Sequence, residues 1–262
     1  MENGYNNAVS IVTATLNEIE NIKLFIDGLD NVVKSFNLHL IRELVIVDDG
    51  SIDGTVEEIN RIKRSTKTAF EIKLIERHKK MGTVDAQIAG INACKGKYAL
   101  VMDADLQHPF EFIPDFLKYI DTTIDVVIGS RYTEGGNTHW PTNRAIISKS
   151  ATLLAHLLIP TSRKIKDPLS GYFLVKTNLI PSLEPYPDYY KPLLYIISYY
   201  PTLNIKETPI SIYGRVYGES KITKFPVKMI VHYTKELFTY RHKMINAITR
   251  KYKATREENK IH

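Results

Sequence analysis

Five short runs rich in Val, Ile and other apolar residues, each separated from the next by polar or helix-like sequence, dominate the first 130 residues of this chain. Ala8–Thr13, Glu43–Val47, Phe70–Ile75, Tyr98–Met102 and Ile124–Ile128 read as buried strands, because their apolar residues sit between polar borders. Between the first two, Ile19, Ile22, Phe25, Ile26, Leu29 and Val33 recur at helical spacing, with Asn17 and Glu20 at the positions of a capping box. Further helices are expected over Thr55–Lys63, Val84–Ala93 and Pro109–Ile120. Repeated βα units of this kind predict an α/β fold with a mostly parallel, doubly wound sheet. Such sheets bind ligands at the carboxyl ends of their strands.

After Arg131 the pattern loosens. Thr133–Asn143 is a polar, Gly-containing loop holding the only tryptophan, Trp140. A helix is expected over Arg144–Leu158, and strands over Tyr172–Val175 and Leu203–Ile212. Four prolines mark Pro181–Pro192 as loop, and Tyr213–Ile222 reads as a polar loop. A final helix begins at Pro226, since proline is tolerated in a first turn. With no repeat or low-complexity linker, the simplest division is one domain over residues 1–224 and a basic amphipathic helix and tail over 225–262.

Composition excludes several classes. With 44% apolar and 24% charged residues among 262, the chain is globular rather than disordered or fibrous. No stretch approaches the ~18 consecutive apolar residues of a spanning helix; Ala151–Pro160 and Pro192–Pro201 are too short. Glu2 and the Asn residues before the first apolar run do not read as a secretory signal. The single Cys94 rules out a disulfide framework and a Cys-based zinc cluster, and fits a reducing compartment. Lys221–His262 carries 11 basic and 3 acidic residues, leaving 24 and 26 for the preceding 220. A near-neutral body argues against a broad nucleic-acid surface, whereas the basic tail points to an anionic surface nearby, phospholipid or nucleic acid.

The candidate chemistry sits where strands end in acids. In Tyr98-Ala-Leu-Val-Met-Asp-Ala-Asp-Leu-Gln-His-Pro109 an apolar strand ends in Asp103 and Asp105, which share a face on an extended chain. Two such carboxylates repel unless a cation lies between them, and Mg²⁺ or Mn²⁺ accepts one or two carboxylates plus phosphate oxygens. Gln107 supplies a further, neutral oxygen. The plainer alternative is a strand-end turn or helix cap. Glu43-Leu-Val-Ile-Val-Asp-Asp-Gly-Ser-Ile-Asp-Gly-Thr55 ends a second strand with acids, bringing Asp48 and Asp49 to the same sheet edge, where they can bind a ribose or base. There the alternative is a helix start capped by Ser51 or Asp53.

These segments resemble the inverting, nucleotide-sugar-dependent glycosyltransferases of the GT-A (Rossmann-like) fold, and within them the dolichyl-phosphate (polyprenyl-phosphate) mannose synthase family. The resemblance runs from Val9-Ser-Ile-Val-Thr-Ala-Thr-Leu-Asn-Glu18 through Val47–Thr55, Met102–Pro109 and Ile128-Gly-Ser-Arg-Tyr-Thr-Glu-Gly-Gly136. It continues through Trp140-Pro-Thr-Asn-Arg-Ala-Ile-Ile-Ser148, Lys166-Asp-Pro-Leu-Ser-Gly-Tyr-Phe173 and Arg215-Val-Tyr-Gly-Glu-Ser-Lys221. It implies that Glu18, Val47, Asp49 and Ala104 contact the nucleotide while Asp103, Asp105 and Gln107 hold Mg²⁺ or Mn²⁺. Arg215 and Lys221, with Ser220 nearby, would meet the donor diphosphate. Arg131, Arg144 and Ser148, assisted by Lys191, would grip the acceptor phosphate, and Asp167 would orient. Arginine suits a fixed phosphate because its planar fork donates paired hydrogen bonds. The pattern departs at Ala14 and Leu16, at Met81-Gly-Thr-Val84 and at Tyr195, which bears on donor identity.

The implied reaction is attack by a polyprenyl or dolichyl phosphate on the anomeric carbon of a nucleotide sugar, with inversion. Gln107-His108-Pro109 and Trp140-Pro141 favour GDP-mannose; the alternatives are a UDP-glucose-dependent polyprenyl-phosphate glucosyltransferase and a non-catalytic membrane- or nucleic-acid-binding module. A sugar-1-phosphate nucleotidyltransferase would carry a Gly-rich, Arg-containing loop where this chain has Thr13-Ala-Thr-Leu-Asn-Glu18. In the tail, Phe225, Met229, Tyr233, Leu237, Tyr240, Met244 and Ile248 form one apolar stripe among basic residues. The stripe fits either the domain core or a membrane interface, and a lipid acceptor favours the interface. The expectation is a peripheral protein on the cytoplasmic face of a membrane.

Overall fold

The computed structural model of the chain describes residues 7–180, 191–200, 202–213, 231–242, 244–246 and 249. It opens with β1 (Val9–Thr15), α1 (Ile19–Ser35), β2 (Ile41–Asp48), α2 (Thr55–Ser65), β3 (Glu71–Glu76), α3 (Thr83–Asn92) and β4 (Tyr98–Val101). A 3-10 turn at Phe110–Phe112 leads into α4 (Ile113–Leu117), followed by β5 (Val126–Ser130), β6 (Asn137–Thr138) and α5 (Thr142–Leu158). Then come β7 (Phe173–Lys176), α6 (Pro192–Tyr199), β8 (Ile205–Pro209) and β9 (Ser211–Ile212). Residues 231–242 are helical and form the C-terminal helix.

Among the described residues, seven strands make one sheet in the order β3-β2-β1-β4-β7-β5-β8, with β6 and β9 paired apart. The first four strands are mutually parallel, β7 runs antiparallel to both neighbours, and β8 is parallel to β5. The chain builds outward from β1 to β3 on one side, then returns to place β4 on the other. This switch point opens a crevice between the carboxyl ends of β1 and β4. Asp103 and Asp105 leave β4 at that crevice, as the sequence predicts.

Alternate residues along each central strand feed two core layers. Ile11, Leu44, Ile46 and Leu100 face a layer closed by Ile22, Phe25, Ile26 and Leu29 of α1. Val12, Val45, Val47 and Val101 face the other, closed by α3, α6 and the C-terminal helix. Each large aliphatic side chain so buried contributes about 1.5–3 kcal/mol. Gly90 lets α3 lie close on the sheet, since a Cβ there would come within 2.6 Å of Val12 Cγ1.

Several expectations need correction. The Asn17–Glu20 capping box does not form. Asn17 is left-handed (φ 58), and the first free N–H of α1, that of Ile19, is taken by Asp53 Oδ2 at 3.1 Å. Asp53 Oδ1 also accepts the Thr55 N–H at 3.0 Å, so one carboxylate caps two helices. Pro109–Ile120 is a 3-10 turn plus a short helix. The expected strand over Leu203–Ile212 breaks at Ile210, whose N–H still donates to the Ser130 carbonyl of β5 at 3.1 Å. Ile210 then hands the chain to β6, accepting the Asn137 N–H at 3.0 Å. Pro192 begins α6 rather than closing a loop; residues 181–190 lie outside the described residues.

The tail stripe also turns inward. Leu237, Tyr240 and Met244 are buried in the second core layer and Tyr233 packs against it, with the Tyr240 and Tyr195 rings 5.6 Å apart. The sheet face left open beside α6 needs an apolar cover, and this helix supplies it. Phe225, Met229 and Ile248 lie outside the described residues. No helix among the described residues is long and apolar enough to cross a membrane.

Candidate active site

Past Val101 the chain leaves the sheet in a tight fold that fixes both acids. Gln107 donates its backbone N–H to Asp105 Oδ1 at 3.2 Å, Leu106 between them is left-handed (φ 61), and Asp105 is buried. The Asp103 N–H is taken by His108 Nδ1 at 3.0 Å, and the His108 ring stacks on Tyr172 with centroids 5.0 Å apart. Burial pushes His108 down to about 4, against the pull of Asp105 and with the help of Arg131 and Lys191, so the ring is neutral and Nδ1 stays an acceptor. Gln87 reaches Asp103 Oδ1 from α3 at 3.4 Å. Gly171 closes over the same carboxylate; a Cβ there would lie 3.2 Å from Asp103 Oδ2 and 3.3 Å from His108 Cε1.

Facing the acids is a cationic wall. Arg131, at the end of β5, donates Nε and Nη2 to Asp167 at 2.7 and 2.6 Å and its backbone N–H to the same carboxylate at 3.0 Å. Burial disfavours the guanidinium charge, but Asp167 outweighs it and raises the Arg131 pKa. Arg144, in the first turn of α5, donates Nη2 to Gln107 Oε1 at 3.3 Å, while Gln107 Nε2 donates to the Tyr213 carbonyl at 3.1 Å. Both arginines converge on the Trp140 ring, 4.9 Å (Arg131) and 4.0 Å (Arg144) from its centroid. Ser148, one turn along α5, accepts a hydrogen bond from Tyr132 at 2.9 Å. Lys191, at the N-terminus of α6, has its pKa lowered by burial and Arg131, against the opposing fields of Asp103, Asp167 and Glu236.

The loops after β1 and β2 sit beside one another, because Thr15 and Asp48 are register partners. Asp48 accepts from Thr15, Gly50 and Ser51. Asp49 takes the N–H groups of Met81 and Gly82, both at 2.9 Å, with Arg77 at 3.5 Å. Glu18 accepts from Asn21 at 2.7 Å, and its N–H goes to Thr55 at 2.9 Å. The Val47 side chain is buried beneath Gly90, and its main chain is paired with β1 and β3 one residue before Asp48. Ala104 is buried between the two acids.

The structure thus gathers Asp103, Asp105, Gln107, Arg131, Arg144, Asp167 and Lys191 around one crevice, with Ser148 a turn beyond Arg144. Glu18, Asp49 and Val47 line the neighbouring strand ends. Arg215, Ser220 and Lys221 lie outside the described residues. Reading of the sequence missed Trp140 as a bridge between two arginines, Tyr132 as the partner of Ser148, and Gln87. A lone tryptophan in a polar loop next to Arg and Pro is the signal for the first. Among the described residues, Trp140 Nε1 and Gln87 Oε1 are buried with no hydrogen-bond partner, an arrangement that suits a site shaped for a ligand.

This mostly parallel sheet, with acids at its switch point and a cationic wall opposite, matches the GT-A fold of solved glycosyltransferases. The profile described as glycosyl transferase family 2 matches residues 10–178. The chain belongs to glycosyl transferase family 2. It is 35% identical to a dolichol-phosphate mannosyltransferase of Pyrococcus furiosus over 231 residues, covering 88% of this chain and 62% of that protein. It is 30% identical to the Saccharomyces cerevisiae protein of the same name, covering 76% of this chain and 75% of the relative. The structure superposes on glucosyl-3-phosphoglycerate synthase of Mycobacterium tuberculosis, solved with Mn²⁺, UDP and product, with a TM-score of 0.64. That match has 20% identity and covers 91% of this chain and 80% of the other. The same enzyme solved with Mg²⁺ and UDP matches equally, at a TM-score of 0.64.

Proposed function

We propose that the chain transfers a sugar, with mannose from GDP-mannose as the best fit, to a dolichyl or other polyprenyl phosphate with inversion at the anomeric carbon. The named activity of the matched relatives supports this. The observation that carries it is the 3.3 Å hydrogen bond from Arg144 to Gln107, which ties the anion-gripping wall to the acidic strand end. A phosphate held by Arg144 lies beside whatever Asp103 and Asp105 hold.

Two carboxylates one residue apart plus an amide oxygen are the donor set that a hard divalent cation takes, with water and phosphate oxygens completing its shell. The third ligand in this reading is the amide oxygen of Gln107, whose other lone pair accepts from Arg144 at 3.3 Å. Asp103, Asp105 and Gln107 fit Mg²⁺ or Mn²⁺, as the metal-bound complexes of the structural relative also support. Bound there, the ion supplies charge compensation for a departing nucleoside diphosphate.

The protein's own groups do the rest. Glu18, Asp49, Ala104 and the Val47 main chain border the nucleotide, and Arg215 and Lys221 meet its diphosphate. Arg131, Arg144, Ser148 and Lys191 hold the acceptor phosphate against the mutual repulsion of two anions. A phosphate monoester has a second pKa of about 6, so this nucleophile needs no strong base. Asp167, locked into the fork of Arg131, orients that guanidinium instead of taking a proton. Residues 1–224 carry this machinery, and 225–262 keep a basic segment near phospholipid on the cytoplasmic face of a membrane.

The test is a donor panel of GDP-mannose, UDP-glucose and UDP-N-acetylglucosamine with a short polyprenyl phosphate and Mg²⁺ or Mn²⁺. The expected product is a β-linked mannosyl phosphoryl lipid. An α-linked product, or no lipid-linked sugar from any donor, would overturn the reading.

A further inference from the structure

The segment between α5 and β7 carries Asp167, and its main chain is itself gripped from the side. Asp167 is fully buried, so its N–H must find a partner inside the protein. That partner is Glu207 on β8. Glu207 Oε1 accepts the Asp167 N–H at 3.0 Å, and Oε2 accepts the Lys166 N–H at 2.9 Å. Two consecutive N–H groups make a small concavity that favours an anion, and one carboxylate fills it with both oxygens. Glu207 is the register partner of Ile128 in the β5–β8 ladder, three residues before Arg131. Neighbouring strands therefore hold the two ends of a short chain of contacts, from Glu207 through Asp167 to Arg131.

Other ties fix the segment further out. His156 Nε2 of α5 meets the Ile165 carbonyl at 2.9 Å, and the Ser170 hydroxyl donates to the Gly129 carbonyl at 2.7 Å. Behind the segment, Lys164, Ile165 and Glu207 border a cavity of about 490 Å³ that Tyr200 and Leu203 also line. Open space lies there in place of close packing, so hydrogen bonds brace the main chain of Asp167 on that side. Any shift of Asp167 carries the guanidinium with it, because Nε, Nη2 and the backbone N–H of Arg131 all bond to that one carboxylate. A group that grips a reacting phosphate has to be held within about 0.5 Å of its productive place.

We infer that Glu207 is a positioning residue for the reaction: through Asp167 it sets the guanidinium of Arg131 against the phosphate that Arg131 holds. The identity of that phosphate rests on the acceptor reading; the link from Glu207 to Arg131 rests on the contacts themselves. Glu207 lies 40 residues from Asp167 in a run that reads only as strand, so no local motif points to it.

The experiment compares the full-length wild type with Glu207→Gln, Glu207→Asp and, as a control on the same strand, Lys206→Gln, each checked for folding by urea denaturation. Glutamine sets an amide donor against one of the two N–H groups, whereas aspartate keeps both oxygens with a shorter reach. With GDP-mannose, Mg²⁺ and a short polyprenyl phosphate, Glu207→Gln is expected to raise the acceptor KM roughly three- to tenfold. The donor KM and the kcat at saturating acceptor should stay near wild type, Glu207→Asp should lie between the two, and Lys206→Gln should change neither KM. A second readout needs no turnover. The Arg131 Nε–H resonance in ¹⁵N NMR, assigned by its loss in Arg131→Lys, is expected to exchange with water several-fold faster in Glu207→Gln. If Glu207→Gln does not fold, Glu207→Asp is read in the same two ways. A folded variant with an unchanged Arg131 resonance and a wild-type acceptor KM would overturn the inference. So would equal rises in both KM values, which a purely structural strand contact would give. A faster-exchanging Arg131 resonance with a raised donor KM, or with no transfer even by the wild type, would count against the proposed reaction alone and leave the link from Glu207 to Arg131 standing.

Discussion

Arg131 and Asp167 meet through two parallel side-chain hydrogen bonds of 2.7 and 2.6 Å in a setting where both are almost wholly buried. The pair fixes one edge of a guanidinium and leaves the other to face the crevice. Asp167→Asn keeps the shape but removes the charge that balances a buried cation. Breaking such a pair costs about 3–5 kcal/mol. Urea denaturation of Asp167→Asn is therefore expected to show a loss of that order, together with a raised KM for the lipid phosphate and an unchanged KM for the sugar nucleotide. A general-base role would instead lower kcat and leave the acceptor KM unchanged.

Trp140 sits against both Arg131 and Arg144, so one ring steadies two like charges aimed at the same space. A cation–π contact is worth about 0.5–2 kcal/mol. Trp140→Ala is expected to raise the acceptor KM roughly tenfold, and Trp140→Phe to recover part of it. Steady-state kinetics with the acceptor varied at saturating donor decides the matter.

The sheet and its acidic strand ends were legible because they rest on local signals. Buried strands are continuous apolar runs, and Asp103 and Asp105 are two residues apart in one of them. What escaped depends on partners far away in sequence. Asp53 caps α1 across 34 residues, a contact no capping-box spacing reveals. The Leu203–Ile212 run is strand-like throughout, yet Ile210 ends one ladder with its N–H and begins another with its carbonyl. The tail stripe holds over Tyr233, Leu237, Tyr240 and Met244, but a periodic stripe does not say what it faces; the opening beside α6 decides it. The arginines were found through their motifs, whereas the indole that joins them is visible only in three dimensions.

Gly171 closes on Asp103 with so little room that an added methyl would press on the carboxylate and on His108. Gly171→Ala is expected to keep the fold and raise the apparent activation constant for Mg²⁺ or Mn²⁺ several-fold. Metal titration of the transfer rate, with nucleotide affinity measured in parallel, checks it.

Cys94 donates to the Gly90 carbonyl at 3.3 Å, and burial pushes its thiol from 9.0 up to about 12. The folded protein therefore holds on to a proton that the unfolded chain gives up, so this group's contribution to stability is complete below pH 9 and falls as the pH rises toward 12. At pH 8 Cys94 is therefore held as the thiol, the unreactive form. Iodoacetamide is expected to leave Cys94 unmodified in the folded protein and to label it readily in urea, with mass spectrometry as the readout.

The central claim is a division of labour across one crevice, with a sugar nucleotide on the side of Asp103 and Asp105 and a lipid phosphate on the side of Arg131 and Arg144. Measuring KM for donor and acceptor separately in Arg144→Ala tests it most directly. The account predicts an acceptor KM raised tenfold or more, by roughly 1.4 kcal/mol, with the donor KM near the wild-type value. A raised donor KM with an unchanged acceptor KM would contradict it.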